Sequence, residues 1–233
     1  HAEENNIDVS KIGEHLKVCS SGGAPMPVEV MKNFEETFGV RVMEGYGLSE
    51  TSPLTNFNHF AMPSKPGKVG QNIFAVQVKC VDENDKEVPR GERGEVVMRG
   101  PNVMKGYYKR PEATAEAFRN GWFHSGDIGI MDEDGYLQIV DRTKDMILRG
   151  GYNIYPRELE EVIMTHEAVS LVAVIGVPDD KMGEEVKAYV VLNQGAELSE
   201  EDFIVWCKEQ FAKNKYPRFV EFRDELPIGG TGK

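Results

Sequence analysis

The chain has 233 residues, 40% of them hydrophobic and 28% charged, with a formal net charge of −12. That length accommodates one large or two modest domains with ample core. The negative balance argues against a general nucleic-acid or anionic-membrane surface, since both want a basic field, while a few placed cations could still hold a nucleotide.

After a polar lead-in, Leu16 to Ser20 reads as a short strand that runs into Ser21-Gly22-Gly23-Ala24-Pro25. A helix follows, with Met31, Phe34 and Phe38 on one face and Gly39 as its stop. Val40 to Met43 is the next strand, leading into Glu44-Gly45-Tyr46-Gly47-Leu48-Ser49-Glu50-Thr51. Strand, glycine loop, helix, strand is one turn of an α/β layer. From Ser64 to about Val140 the texture changes to short alternating runs at 76–81, 94–99 and 135–140, separated by turn clusters, which indicates an antiparallel barrel or sandwich. One short helix is expected at Arg110 to Arg119, with Pro111 near its first turn. Ser125-Gly126-Asp127 reads as the close of a loop. Beyond Asp145, Met146 to Ile154 forms a tiny hairpin around Gly150-Gly151. A helix from Pro156 to Thr165 follows, then strands at 170–177 and 186–192. Ser199 caps a helix to about Lys213, with Asp202 placed for a capping box, and a last strand covers 220–222. The fold class is therefore α/β plus α+β. It comprises a remnant of a large-domain α/β layer (1–65), a distorted antiparallel β barrel (66–143) and a small C-terminal α+β domain (144–233).

Several familiar chemistries are excluded. A Walker loop fails at Gly229-Gly230-Thr231-Gly232-Lys233, because Pro227 stands where its first glycine belongs. A Rossmann fingerprint fails because Glu50 stands where the third glycine belongs. His166-Glu167 does not extend to HExxH. Cys19, Cys80 and Cys207 make no CxxC pair, so free thiols are expected. The longest apolar run, Leu171 to Val177, is too short to span a bilayer. HAEENNIDVSK shows no signal-peptide pattern and no initiating Met, and the chain reads as a cytoplasmic piece of something longer.

Seven separate motifs, in order, cover almost the whole chain. They are Ser21 to Pro25, Gly45 to Thr51, Gly94-Glu95 through Gly106-Tyr107, Ser125-Gly126-Asp127, Asp141 to Glu160, Lys215-Tyr216-Pro217 and Leu226 to Lys233. Together they resemble the adenylate-forming, acyl-activating superfamily of acyl-CoA synthetases, luciferases and peptide-synthetase adenylation domains. The resemblance implies that a carboxylate is joined to ATP, giving acyl-adenylate and pyrophosphate, with transfer to CoA in the ligases. It implies an adenine slot made by Gly22, Gly23 and Ala24 on one side and Tyr46 and Gly47 on the other. Thr51 would bond the α-phosphate and Glu50 would hold Mg²⁺, a hard cation suited to carboxylate oxygen. Asp127 would take the ribose hydroxyls, with Arg142 reaching the same sugar. Lys144 would be a hinge whose rotation swaps the face of the small domain. One face would bring Lys233, which stabilises transition-state charge, and the other Gly151, past which the pantetheine arm of CoA runs.

The family's Ser/Thr/Gly-rich phosphate loop is absent. The resemblance thus implies the C-terminal portion of a synthetase, inactive on its own as residues 1–233. Glu44 to Asn58 resembles bacterial long-chain fatty acyl-CoA ligases, so a fatty acid is the expected substrate. An aryl-CoA ligase or a peptide-synthetase adenylation domain is the alternative within the same chemistry, and an inactive nucleotide-binding module is the alternative outside it.

Overall fold

The computed structural model describes residues 12–24 and 26–227, which divide into two compact units, His1–Ile139 and Val140–Lys233. The division falls inside a strand, a few residues before Lys144.

The first unit opens with helix α1 (Ile12–His15), strand β1 (Cys19–Ser21), helix α2 (Val28–Phe38) and strand β2 (Val42–Tyr46). Helix α2 buries Met31 and ends at Gly39, which adopts a left-handed conformation (φ 63°) and donates its N–H to Glu35 O at 2.8 Å. That is the stop the sequence predicts, because a β-carbon penalises the left-handed turn and glycine has none. Strands β1 and β2 are parallel, with Cys19 opposite Val42 and Ser21 opposite Glu44. Strands β3 (Asn56–Phe57) and β4 (Gln71–Asn72) extend this sheet in the order β1-β2-β3-β4.

The barrel region takes the form of a five-stranded sheet made by β5 (Gln77–Val81), β6 (Arg93–Arg99), β7 (Phe118–Arg119), β8 (Trp122–Met131) and β9 (Leu137–Arg142). Strand β8 is central and pairs with β6, β7 and β9. Alternate residues of β5 and β6, among them Val78, Cys80, Val96 and Met98, bury one face together with Phe123, Met131 and Leu137. This period-two burial is what the alternating runs predict. Helix α3 spans Pro111–Ala117, and the next two residues form β7 instead of continuing the expected helix to Arg119. Phe118 there packs against Phe123, with the ring centroids 5.4 Å apart and the planes tilted by 58°, so cross-strand packing wins over helix extension.

The second unit holds β10 (Ile147–Arg149), β11 (Tyr152–Ile154), α4 (Pro156–Ile163), β12 (Val169–Asp179), β13 (Gly183–Leu192), α5 (Glu200–Gln210) and β14 (Phe219–Phe222). Its sheet runs β11-β10-β13-β12, with β14 parallel to β13 on the other side. Leu159 and Ile163 of α4 and Phe203 and Cys207 of α5 close the core against Val174, Val186, Ala188 and Val190. Ser199 Oγ accepts the Asp202 N–H at 3.1 Å, the expected N-cap, but the Asp202 carboxylate returns to Ser199 Oγ at 2.6 Å. Aspartate is one methylene shorter than the glutamate usual in a capping box. Burial pushes the thiols of Cys80 and Cys207 up to about 11 and about 12, so both are unreactive at neutral pH.

Candidate functional site

Two loops leave the carboxyl ends of the parallel strands β1 and β2, the position where α/β sheets present ligand-binding backbone. Gly22 follows β1 directly, and a β-carbon on it would lie 3.1 Å from Gly45 O. The glycine backbone is therefore laid against the neighbouring strand. Tyr46 ends β2 and is half-buried. The next residue, Gly47, passes so close to Pro53 that a β-carbon would stand 1.8 Å from its carbonyl oxygen, so only glycine fits. Gly22, Gly23, Ala24, Tyr46 and Gly47 thus gather at one end of this sheet. Pro25 lies outside the described residues.

Ser49 to Thr51 make a single 3₁₀ turn. The Thr51 hydroxyl is fully buried; it receives the Leu48 N–H at 2.9 Å and lies 2.9 Å from Leu48 O. Asn102 fastens the turn to the β5–β9 layer by donating to Thr51 O and Leu54 O, both at 2.7 Å. Glu50 is held at both ends: its carbonyl accepts Met104 N–H at 2.7 Å and its carboxylate accepts the Tyr107 hydroxyl at 2.9 Å. Burial, then the Glu50 carboxylate, raises the Tyr107 phenol above its ordinary value, which keeps it a donor. Among the described residues there is no group of three or more His, Cys, Asp or Glu side chains arranged for a metal. Glu50 fits instead the magnesium mode in which one carboxylate shares the ion with water and substrate phosphates.

Ser125-Gly126-Asp127 does not close a loop, contrary to the sequence reading. It lies inside β8 as a bulge, because His124 pairs with Val97 and Ile128 with Glu95, leaving three residues opposite Val96 alone. Ser125 Oγ donates to Val96 O at 2.7 Å and accepts the Asp127 N–H at 3.0 Å, replacing the missing ladder bonds. Bulges re-aim side chains, and this one buries Asp127 to 4% exposure. There the Tyr46 hydroxyl donates to the Asp127 carboxylate at 2.5 Å. Two motifs separated by about eighty positions are thereby joined through one hydrogen bond.

The remaining sequence-predicted residues fall in or beyond the second unit. Arg142 ends β9, and its N–H donates to Asp141 at 2.7 Å. Asp141 also accepts the Arg157 N–H at 3.0 Å, placing a carboxylate on the first turn of α4. Burial raises this carboxyl above its ordinary value although both N–H groups oppose the shift. Lys144 is exposed in the turn that follows. Gly150 and Gly151, with φ of 56° and 84°, make the two-residue turn between β10 and β11. Both angles demand glycine, as in a type I′ hairpin. A β-carbon on Gly150 would meet Met182 at 2.4 Å, whereas nothing lies within 4 Å of one on Gly151. Lys233 and the Gly229 to Gly232 run lie outside the described residues.

Residues 2–108 match the family model of the AMP-binding enzymes, and residues 158–233 match that of the AMP-binding enzyme C-terminal domain. The chain belongs to the adenylate-forming, AMP-binding enzyme family. The long-chain-fatty-acid–CoA ligase of Bacillus subtilis (strain 168) is 45% identical over 234 residues, an alignment covering 100% of this chain and 41% of the relative. Feruloyl-CoA synthase of an Amycolatopsis species is 43% identical, covering 100% of this chain and 47% of that protein. Among solved structures, ATP-bound MatB from Rhodopseudomonas palustris superposes with a TM-score of 0.89 at 40% identity, covering 91% of this chain and 42% of that one. The chain spans about two fifths of the length of the curated fatty-acid ligases it matches. Among the described residues no helix is long and apolar enough to cross a membrane.

Four residues of this AMP-binding chain stand at the site without a role assigned from sequence: Asn102, Tyr107, Glu95 and His124. Glu95 and Tyr107 bound one of the quoted motifs, but nothing in that spacing says which side chain of another segment each will meet. Asn102 is a half-buried amide that bonds two carbonyls of a distant loop, and a lone asparagine in a turn carries no such signal.

Proposed function

We propose that this chain is the C-terminal portion of an ATP-dependent acyl-CoA synthetase. The complete enzyme would convert a fatty acid and ATP to an acyl-adenylate and pyrophosphate, then form the thioester with CoA. The observation that carries this reading is the junction of Tyr46 with Asp127. It sets an aromatic ring beside an acceptor-only carboxylate at the carboxyl ends of two parallel strands. A nucleoside needs that pairing, a ring face for the base and a carboxylate for two vicinal hydroxyls.

In this reading Gly22, Gly23, Ala24 and Gly47 line the base, Asp127 binds the ribose and Arg142 is a second ribose ligand. Glu50 faces the phosphates, and the buried Thr51 hydroxyl, expected to bond the α-phosphate, instead holds the turn that carries Glu50 through its bonds to Leu48. A Mg²⁺ ion shared between Glu50 and phosphate oxygens would neutralise charge there. Lys144 is the pivot between domains running 1–65, 66–143 and 144–233. Lys233 is the cation of the adenylation step, and Gly151 the residue past which the thiol arm of CoA runs. The fatty-acid preference rests on likeness to long-chain ligases, while likeness to feruloyl-CoA synthase keeps an aryl substrate as the second reading.

ATP–pyrophosphate exchange, run on the complete enzyme with hexadecanoate and with ferulate in parallel, tests it. Hexadecanoate-dependent exchange followed by hexadecanoyl-CoA formation is expected, and exchange with ferulate alone would move the assignment to the aryl reading. Adenylation with no thioester to CoA would sink the ligase function. Residues 1–233 by themselves are expected to show no turnover, because no Ser/Thr/Gly-rich phosphate loop occurs in this sequence.

A further inference from the structure

The Asp127 bulge is held from three sides. Ser125 bonds the opposite strand, and its hydroxyl also receives the Asp127 N–H. The middle residue, Gly126, takes the left-handed conformation (φ 72°) and donates its N–H to Glu95 Oε1 at 3.2 Å. Glu95 lies next to Val96, the residue opposite the bulge, and its side chain is only 21% exposed. Its second oxygen, Oε2, accepts from Arg119 Nη2 at 3.1 Å and lies 2.8 Å from Nδ1 of His124, itself buried at 8% exposure. Arg119 is steadied in turn by Asp85, with Nη2 to Oδ1 at 3.1 Å, and Asn120 Nδ2 bonds the other Asp85 oxygen at 3.1 Å.

Asp85, Arg119 and His124 of this cluster line a cavity of about 60 Å³ together with Trp122, Lys79 and Val97. At that size the space takes a few waters and no organic ligand. Its geometry serves another purpose. One oxygen of Glu95 is clamped by a charged network, and the other reaches the Ser125–Gly126 peptide, one residue before Asp127.

We propose that Glu95 is a positioning residue for nucleotide binding. Clamped by Arg119, it fixes the Gly126 peptide and through it the direction in which the Asp127 carboxylate points. The proposal rests on the reading of Asp127 as the ribose ligand. A bulge has lost its ladder bonds, so the angle at which it projects its side chain is set by the bonds that replace them. A site of this kind must hold its ligand within about 0.5 Å, and it does so through supporting hydrogen bonds. Glu95 acts through both oxygens at once, Oε1 accepting from Gly126 and Oε2 from Arg119. Glutamine turns an amide N–H toward one of these two donors and so breaks half of that function. Aspartate, which keeps the charge but withdraws the oxygen by a methylene, loses it.

The test measures AMP affinity by calorimetry and the KM for ATP in pyrophosphate exchange, on the complete enzyme. Glu95→Asp is expected to weaken AMP binding and raise the ATP KM about tenfold, the scale of one charge-assisted hydrogen bond, with kcat within twofold. Glu95→Gln is expected to weaken both to a similar degree, and Arg119→Ala, at a side chain 46% exposed, to weaken both about threefold with kcat within twofold. Unchanged AMP affinity in Arg119→Ala and in a folded Glu95 variant overturns the proposal, as does a loss carried by kcat and thermal stability instead of by AMP affinity and the ATP KM. Arg119→Ala decides the matter even where neither Glu95 variant folds. Asp127→Ala separates the two levels. If it leaves AMP affinity unchanged, the ribose reading itself fails. If it weakens AMP while Glu95→Asp does not, only the positioning role fails.

Discussion

Asp132, in the turn after β8, accepts Lys65 Nζ at 2.7 Å and Lys68 Nζ at 2.6 Å on one oxygen. Its other oxygen takes the N–H groups of Asp134 at 3.0 Å and Tyr136 at 2.9 Å. Against the cost of burial, the two ammonium groups and the Tyr136 amide hold this carboxyl well below its ordinary value of 3.8. A depressed carboxyl contributes stability that is present above the unfolded value and lost as pH falls through the folded one. Asp132→Asn keeps an oxygen for the amides but forfeits both lysines. It is expected to cost about 1 kcal/mol at pH 7 in urea unfolding, with the deficit shrinking as pH drops below 3.8. An unchanged deficit across that range would mean the lysines contribute nothing. Little of this is legible in the sequence. Gly39 and Ser199 announce their roles because helix ends are local events, read from neighbours three or four positions away. Lys65 and Asp132 meet across a chain separation that no periodicity encodes, and Glu95 with Gly126 is the same case.

Hairpin β10–β11 shows how far a single element can be read in advance. Two consecutive glycines between short apolar runs specify a two-residue turn, and their positive φ angles bear this out. Leu148 and Tyr152 flank it as exposed side chains, 53% and 58% accessible, so the tip presents apolar surface beside bare backbone. Gly151→Leu strains the turn by roughly 1 kcal/mol, because left-handed backbone disfavours a β-carbon. It is expected to leave ATP–pyrophosphate exchange within twofold while cutting CoA thioester formation at least tenfold. Equal loss of both half-reactions would remove the CoA-facing role from this turn. Strand β8 was the harder element. A polar Ser-Gly-Asp run looks like a turn, and only pairing with β6 on both sides of it reveals a bulge within a ten-residue strand. The helix expected to reach Arg119 stops at Ala117 for a related reason. Propensity extends a helix one residue at a time, while the contact that ends it at Ala117 comes from Phe123 on another strand.

The two units carry separate hydrophobic cores. In the second, Phe203 is fully buried and ringed by Trp206, His166 and Phe222. A core of this size is self-sufficient. Residues 140–233, expressed alone, are expected to give a cooperative thermal transition by circular dichroism. Phe203→Ala should lower its stability by about 3–5 kcal/mol, enough to abolish the transition in a domain this small. A broad, non-cooperative melt of the unsubstituted piece would show that the unit depends on the rest of the protein. At this scale the sequence was informative. The change from layered α/β spacing to alternating runs, and then to a mixed α+β order, marks three textures; the described residues hold three sheets, but the first of them reaches Gln71–Asn72, inside the second texture. What a texture cannot supply is which strand ends come to lie together, and the site is made of such ends.

Under the proposed ribose-binding role of Asp127, its hydrogen bond with Tyr46 has a consequence for the thermodynamics of nucleotide capture. A carboxylate only 4% exposed has already surrendered most of its hydration shell, and the phenol hydroxyl stands where a water molecule otherwise would. The dehydration penalty for that charge is therefore met when the chain folds, before any ribose arrives. In that proposed role, an incoming sugar would have little bound water to strip from Asp127, and the enthalpy of its hydroxyl contacts would be correspondingly less offset. Tyr46→Phe would let solvent back to the carboxylate, so the same contacts would be formed against a rehydrated anion.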